Sequence, residues 1–275
     1  MTRSSEPSPG AGTPVDGVLS TLELLTAHRH GPVLHLWLNR PDKRNAINDR
    51  LIAQIHTAFL NLPTDVGAVL VSGAGAHFCA GLDLSELVQR DIGSAVLHSR
   101  GWHAAFDAIQ FGRVPVIAVL HGAVVGGGLE LASACHIRVA EATTYYGLPE
   151  GQRGIFVGGG GSARLPRLIG VARMTDMMLT GRVIDAELGE RIGLSQYVVP
   201  AGEGLARASE LAARIASNAP MSNFAVMHAL PRIAELPQAE GLFVEALMSS
   251  ITQAEPEAKE RVRAFLDGRA GKVGV

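Results

Sequence analysis

The stretch HGAVVGGGLELASACHIRVA (His121–Ala140) indicates how the chain folds, because a strand, a turn and a helix follow one another within it. Three consecutive glycines, Gly126 to Gly128, separate a short apolar run from a helical pattern that carries Glu130 in its first turn. N–H groups at a helix start have no acceptor inside the helix and lie at the positive end of its dipole. We therefore predict a turn whose backbone N–H groups stabilise an oxygen that gains negative charge.

A second glycine-rich turn, SGAGAHFCAGLDLSEL (Ser72–Leu87), also passes from a predicted strand into a predicted helix. This turn could supply a second N–H donor. Neither turn fits a nucleotide-binding motif. Phe78 stands where a dinucleotide fingerprint needs its third glycine, and the glycines at 158–161 are followed by Ser162 without the lysine of a phosphate-binding loop.

Two glutamates are the candidate acid and base. Taken singly, Glu130 is a carboxylate favoured near a helix N-terminus and Glu150 a solvated loop residue after Pro149. Together with both glycine turns, their order along the chain predicts that the two carboxyl groups flank one site. A neighbouring carboxylate raises the proton affinity of its partner, so we expect charge repulsion to make one of them an acid and the other a base near neutral pH.

Around this site, short apolar runs alternate with helical patterns, which predicts an α/β fold. The runs with strand character are VLHLWL (33–38), VGAVLVS (66–72), VIAVLH (116–121) and IRVA (137–140). From about Pro200 the pattern is helical throughout. We predict a disordered N-terminal tail over residues 1–17, an α/β core with the active site over 18–199, and a helical C-terminal subdomain over 200–275.

Composition excludes several classes of function. The formal net charge of −2 gives no field that would attract nucleic acid or an anionic membrane surface. Two cysteines, Cys79 and Cys135, are too few for a disulfide framework, and the first residues lack the apolar core of a signal peptide, so we expect a cytoplasmic protein. The histidine spacing does not predict a metal site, and no Gly-x-Ser-x-Gly elbow of a serine hydrolase is present.

From about Thr21 to Phe265 the sequence resembles the crotonase family, the enoyl-CoA hydratase/isomerase superfamily. The resemblance rests on LNRPDKRNAI (38–47), HFCAGLDLSEL (77–87), PVIAVLHGAVVGGGLELASACHIRVA (115–140), YGLPEGQRGI (146–155), RLPRLIG (164–170) and LTGRVIDAELGERIGL (179–194). It implies a right-handed spiral of ββα units with a helical C-terminal subdomain. It also implies a homotrimer or a dimer of trimers assembled through the C-terminal helices.

The resemblance further implies an enoyl-CoA hydratase of fatty acid metabolism, with coenzyme A as part of the substrate and no other cofactor. The N–H groups of Leu82 and Gly127 would hold the thioester oxygen. Glu130 would activate water for attack at the β-carbon, and Glu150 would protonate the α-carbon. The residues expected to contact CoA are Arg44, Ala46, Ala80 and Asp83.

Several alternatives remain open. An isomerase would use the same enolate to move a double bond with one carboxylate. A lyase or hydrolase of the same family is also compatible, because the loop from Phe156 to Ser162 departs from the family pattern and is expected to reshape the acyl pocket. The alternative without catalysis is an acyl-CoA-binding or RNA-binding protein. His121 and His136 also depart from the family pattern, and we interpret them as packing residues.

Overall fold

The structure of the chain is a computed structural model that describes residues 12–86 and 90–269. It divides into two compact units, Met1–Ala216 and Ser217–Val275. Ten strands are present in the described part, and all belong to the first unit: β1 (Thr13–Pro14), β2 (Leu25–His30), β3 (Val33–Leu38), β4 (Ala68–Gly73), β5 (Val116–Leu120), β6 (Ala123–Val125), β7 (Ile137–Glu141), β8 (Tyr145–Gly147), β9 (Ile184–Asp185) and β10 (Tyr197–Val199).

Seven strands form the main sheet in the order β1-β2-β3-β4-β5-β7-β10. Within this sheet β3, β4, β5, β7 and β10 run parallel to one another, whereas β1 and β2 add an antiparallel edge. The remaining three form a smaller sheet in the order β6-β8-β9. The chain alternates between the sheets, because β5 and β7 lie in the main sheet while β6 and β8, which directly follow them, lie in the smaller one. Two strands followed by a helix therefore form the repeating unit, as predicted.

The helices of the first unit are α1 (Asp49–Leu60), α2 (Ile92–Gln110), α3 (Gly127–Ala134), α4 (Gly161–Ile169), α5 (Val171–Thr180), α6 (Ala186–Ile192) and α7 (Gly204–Ala216). Alternate residues of the main sheet pack on opposite sides, as the period of a strand requires. Leu34, Leu36 and Leu38 of β3 join the large core that includes α1, α2 and α3. Val33 joins a second cluster with Ala208 of α7. The main sheet is therefore covered by helices on both faces.

The helix α7 extends the first unit beyond the predicted boundary at residue 200. Ala208, Leu211 and Ala212 are buried against Leu70 of β4 and Val119 of β5. This apolar contact makes the helix part of the core, so the division falls after Ala216. The sequence shows that α7 is amphipathic but not which surface it covers, which is why the boundary was set too early.

The ordered part of the chain begins before residue 18, where the prediction placed its start. Thr13 and Pro14 pair with Arg29 and His28 of β2, and Gly17–Thr21 forms a 3₁₀ helix with Leu19 buried. Residues 12–17 are therefore not part of a disordered tail. Residues 1–11 of that predicted tail lie outside the described residues.

The second unit is helical over its described residues 217–269. It comprises α8 (Pro220–Phe224), a π-helical turn (Ala225–Ala229), α9 (Leu230–Ile233), α10 (Gln238–Ala254) and α11 (Pro256–Leu266). Large apolar side chains are exposed along α10 and α11: Leu242, Phe243, Leu247, Ile251, Val262, Phe265 and Leu266. The predicted role of these helices in oligomerisation stays a prediction.

Candidate active site

The turn between β6 and α3 has a backbone that only glycine adopts without strain. Gly126 has φ 52° and ψ −122°, in the region of positive φ that side chains disfavour. A Cβ atom at this position would lie 2.7 Å from Oε1 of Glu150. Glycine at 126 therefore both permits the turn and lets the Glu150 carboxyl group approach the start of α3.

The second glycine turn lies against the first. Ile47 donates its N–H to the carbonyl oxygen of Gly81, and the carbonyl oxygen of Ile47 accepts the N–H of Asp83. Leu82 lies between these two bonded residues, so its N–H points away from the bridge. A Cβ atom on Gly127 would lie 3.4 Å from the nitrogen of Leu82, and one on Gly81 would lie 3.3 Å from the nitrogen of Gly127. The two candidate donors are therefore neighbours, and both residues line the same cavity.

This cavity has a volume of about 380 Å³. Its lining consists of Asn48, Asp49, Leu82, Arg90, Ala95, His98, Ser99, Trp102, Gly127, Glu130, Glu150, Ile155, Phe156, Val157, Gly158 and Gly159. The four candidate catalytic residues are all among them. Two separate glycine turns and two separate glutamates thus meet at one concave surface, which is the usual form of a small-molecule site.

Glu130 is held by the main chain. Its Oε1 atom accepts hydrogen bonds from the N–H groups of Gly159 and Gly161, each at 2.8 Å. Burial raises the pKa of Glu130, because the charged form loses its hydration. The two backbone hydrogen bonds and the positive charge of Arg164 act in the opposite direction and favour the ionised carboxylate.

Glu150 lacks comparable support. Its side chain is buried, and Oε2 has no hydrogen-bond partner among the described residues. Burial raises the pKa of Glu150, a hydrogen bond with its own backbone lowers it, and the charge of Glu130 raises it as a smaller cause. The expectation that repulsion between the two carboxylates sets their roles therefore needs correction. Burial is the largest cause of the pKa shift of both residues. Their contacts differ, because one oxygen of Glu130 accepts two backbone hydrogen bonds whereas Oε2 of Glu150 has no partner among the described residues.

Arg164 of α4 holds the turn that contacts Glu130. Its guanidinium donates to the carbonyl oxygen of Gly159 (3.0 Å), to Oε1 of Gln110 (2.6 Å) and to Oδ1 of Asp107 (2.7 Å). The side chain is one-tenth exposed, so these bonds are made largely out of water. Arg164 therefore ties the turn carrying the Glu130 donors to the end of α2.

The four residues predicted to contact CoA lie together, outside the cavity lining. Ala80 donates its N–H to the carbonyl oxygen of Arg44 (2.9 Å). Arg40 donates to the carbonyl oxygen of Ala46 and forms an ion pair with Asp83 (2.9 Å). The segment that carries Arg44 and Ala46 thus runs beside the segment that carries Ala80, Leu82 and Asp83. The Asp83 carboxylate is occupied by Ser85 and Arg40, which lower its pKa in that order.

The cavity wall formed by α2 was not predicted from the sequence. Ala95, His98, Ser99 and Trp102 all line the cavity, and a Cβ atom at Gly127 would lie 3.0 Å from the Trp102 ring. Their spacing of three and four residues places them on one helical face. Small and polar residues beside a tryptophan on that face were the available signal. Trp102 is buried and also forms part of the cavity.

A family model for enoyl-CoA hydratase/isomerase matches residues 28–272. The chain belongs to the enoyl-CoA hydratase/isomerase family. Family members resemble it in sequence and in fold. The enoyl-CoA hydratase EchA19 of Mycobacterium tuberculosis is 32% identical over 248 residues, which are 88% of this chain and 93% of that protein. The 2,3-dehydroadipyl-CoA hydratase of Escherichia coli is 32% identical over 247 residues, which are 89% of this chain and 96% of that protein.

The solved structure of a candidate enoyl-CoA hydratase from Rhodopseudomonas palustris has a TM-score of 0.89 and 56% identity. The match covers 94% of this chain and all of that chain. It confirms the predicted crotonase-like α/β fold of the family. Across the described residues, no helix is both long and apolar enough to span a membrane. In the same part of the chain, no group of three histidine, cysteine or acidic residues is arranged to hold a metal ion.

Proposed function

We propose that this chain is an enoyl-CoA hydratase, which adds water across the α,β-double bond of an acyl-CoA thioester. The observation that carries the proposal is the presence of Glu130 and Glu150 in the lining of one cavity, beside the adjacent N–H groups of Leu82 and Gly127. A hydratase needs one group that takes a proton from water and one that gives a proton to carbon. Two buried carboxyl groups can supply both.

The reaction balances with these four residues. Water attacks the β-carbon while Glu130 accepts one of its protons, and the electron pair of the double bond moves toward the thioester to form an enolate. The N–H groups of Leu82 and Gly127 stabilise the enolate oxygen, each by about 3 kcal/mol of barrier. Glu150 then gives its proton to the α-carbon and completes the addition. Release of the proton from Glu130 and uptake of one by Glu150, through solvent after product release, restores the starting state.

The contacts of the two carboxyl groups support this division of roles. Two N–H donors on one oxygen stabilise the anionic form of Glu130, as a general base requires. A buried oxygen without a partner makes ionisation of Glu150 costly, as a general acid requires. The arrangement therefore favours Glu130 as the base and Glu150 as the acid.

The proposal extends to the rest of the substrate and to the assembly. We propose that Arg44, Ala46, Ala80 and Asp83 contact the CoA portion, because their segments lead directly to Leu82. We propose further that the cytoplasmic enzyme forms a homotrimer or a dimer of trimers through its C-terminal helices. The exposed apolar residues of α10 and α11 support this assembly. Nucleic acid and membranes are not expected as partners, in keeping with the formal net charge of −2.

Incubation with 2-enoyl-CoA thioesters in oxygen-18 water tests the proposal. Mass spectrometry is expected to find heavy oxygen in a 3-hydroxyacyl-CoA product. An unchanged mass with a displaced double bond would instead identify an isomerase. Binding of every thioester without any product, measured in parallel by calorimetry, would contradict an enzymatic function.

A further inference from the structure

A polar cluster at one part of the cavity wall has no role in the proposed chemistry. Asp49 accepts a hydrogen bond from Arg90 at Oδ2 (2.8 Å), and its Oδ1 lies 2.7 Å from Nε2 of His98. All three side chains line the cavity. The wall beside them is apolar and is formed by Ala95, Trp102, Ile155, Phe156 and Val157. A substrate that extends along this wall meets charged groups at its end.

Lining residues of α2 connect this cluster to the turn at Gly127. Arg44 and Ala46 precede the bridge between Ile47 and Leu82, whereas Asp49 follows it. From Gly127 the wall continues to the Trp102 ring, and from there to the His98 ring, whose centroid lies 6.2 Å from that of Trp102. An acyl chain that follows this path from a thioester oxygen held at Gly127 would reach the cluster.

The charges of the cluster select the kind of group that fits there. Arg90 has five N–H donors, and a carboxylate has about four acceptor sites, so both retain hydrogen-bonding capacity after pairing with each other. An apolar chain end would remove water from the pair without replacing its hydrogen bonds. A carboxylate at the chain end would meet the negative charge of Asp49. An uncharged hydroxyl can donate to Asp49 and accept from Arg90 at once.

We propose that the acyl chain of the preferred substrate carries a distal hydroxyl group, which donates a hydrogen bond to Asp49 and accepts one from Arg90. This inference rests on the proposed hydratase function and names its substrate class. The Asp49 side chain is 60% exposed, so water competes for the same hydrogen bonds. We therefore expect a preference of about tenfold rather than the 10⁴-fold discrimination of a fully enclosed polar pocket.

The test compares pairs of 2-enoyl-CoA thioesters that differ only at the chain end. For chains of about six to ten carbons, a length suited to a wall of one to two helical turns, kcat/KM is measured with a terminal hydroxyl, a terminal methyl and a terminal carboxylate. The wild-type protein is expected to hydrate the hydroxyl-terminated substrate about tenfold more efficiently than the methyl-terminated one. Arg90→Met is expected to abolish or invert this ratio, and Asp49→Asn to reduce it.

A matched control is Arg29→Met, which removes another ion pair of similar burial, Arg29 with Asp65, outside the cavity lining. Its hydroxyl-to-methyl ratio is expected to equal that of the wild type. Circular dichroism verifies that each variant is folded, and Asp49→Asn provides the test if Arg90→Met is not.

The outcomes separate this inference from the proposed function. Hydration of crotonyl-CoA by the wild type, together with equal rates for methyl and hydroxyl ends, would overturn the inference and leave the hydratase proposal intact. A preference for the carboxylate would also overturn it. A ratio that is unchanged in both cluster variants would show that the cluster only ties α2 to α1. A protein that hydrates none of the thioesters would instead contradict the proposed function.

Discussion

Glu130 and Glu150 line the same cavity and are both buried, yet the two sides of the cavity hold them differently. On one side, Glu130 projects from α3 and accepts two backbone hydrogen bonds from the turn at Gly159–Gly161. On the other, Oε2 of Glu150 has no partner within the described residues. The comparison teaches that, in the proposed reaction, this difference in hydrogen bonding favours Glu130 as the base and Glu150 as the acid.

The difference extends to what holds each residue in place. The turn at Gly159 is fixed by Arg164 and through it by the end of α2. Glu150 is positioned by its main chain, because its carbonyl oxygen accepts the N–H groups of Arg153 (3.0 Å) and Ile155 (3.1 Å). A substitution at Arg164 can therefore alter the position of the Glu130 carboxyl group. The position of Glu150 depends instead on the turn from Glu150 to Ile155.

The largest expected effect comes from removing either carboxyl group. We expect Glu130→Gln and Glu150→Gln each to reduce kcat/KM for crotonyl-CoA by at least about 100-fold, within the range of general acid–base groups. Steady-state kinetics measure this loss. Glu187→Gln, at an exposed position of α6, serves as the control and should keep wild-type activity. Full activity in either cavity variant would refute its assigned role.

A methyl group added beside the Glu130 side chain should have the next largest effect. A Cβ atom at Gly161 would lie 2.8 Å from Cγ of Glu130 and 2.9 Å from its Oε1, so Gly161→Ala must displace the carboxyl group. We expect about a tenfold to 100-fold loss of kcat, since a displacement of about 1 Å can cost that much. Gly101→Ala in α2 is the matched helical control, because nothing lies within 4 Å of its Cβ position.

The control should also gain stability. Alanine is favoured over glycine in a helix interior by about 1 kcal/mol, so urea unfolding should show Gly101→Ala to be more stable than the wild type. Gly161→Ala with undiminished kcat would mean that the position of Glu130 does not matter for the reaction.

A smaller effect is expected from loosening the turn beside Glu130. Arg164→Gln removes a positive charge that lowers the pKa of Glu130, so the acidic limb of the pH–rate profile should move to higher pH. We expect about a tenfold loss of kcat/KM at neutral pH, and partial recovery of the limb in Arg164→Lys, which restores the charge. Arg182→Gln, at an exposed ion pair with Asp176, should leave the profile in place. An unmoved acidic limb in Arg164→Gln would show that Arg164 does not influence the pKa of Glu130.

The smallest effect concerns stability. Because folding raises the pKa of Glu150, the folded state binds its proton more tightly than the unfolded state does. The resulting stabilisation is complete below the unfolded pKa of about 4.3 and is lost as pH rises through the folded pKa. Glu150→Gln should therefore exceed the wild type in free energy of unfolding at about pH 8. Urea unfolding measures the gap, which should close near pH 4, and a gap that widens on acidification would contradict this sign.

Local patterns in the sequence were enough to predict much of this molecule. The apolar runs predicted β3, β4, β5 and β7. The glycine turns predicted where Leu82 and Gly127 lie. These features depend on neighbouring residues, so short stretches of chain carry them.

Long-range contacts were not predictable in the same way. The donors to Glu130 come from Gly159 and Gly161, and the link from Arg164 to Gln110 joins residues far apart in the chain. Similarly, α7 covers the main sheet only because of how the strands are ordered. The balance between burial and hydrogen bonding at the two glutamates depends on such contacts, which is why repulsion was given too much weight.

The pH dependence of kcat/KM in the wild type and in Glu150→Gln tests most directly whether the two carboxyl groups act as base and acid. The wild type is expected to show a bell, whose two limbs report the apparent pKa values of the coupled pair. In Glu150→Gln the residual activity should keep the acidic limb, where Glu130 becomes protonated, and lose the alkaline limb. An alkaline limb that persists unchanged in Glu150→Gln would contradict the assignment of Glu150 as the acid.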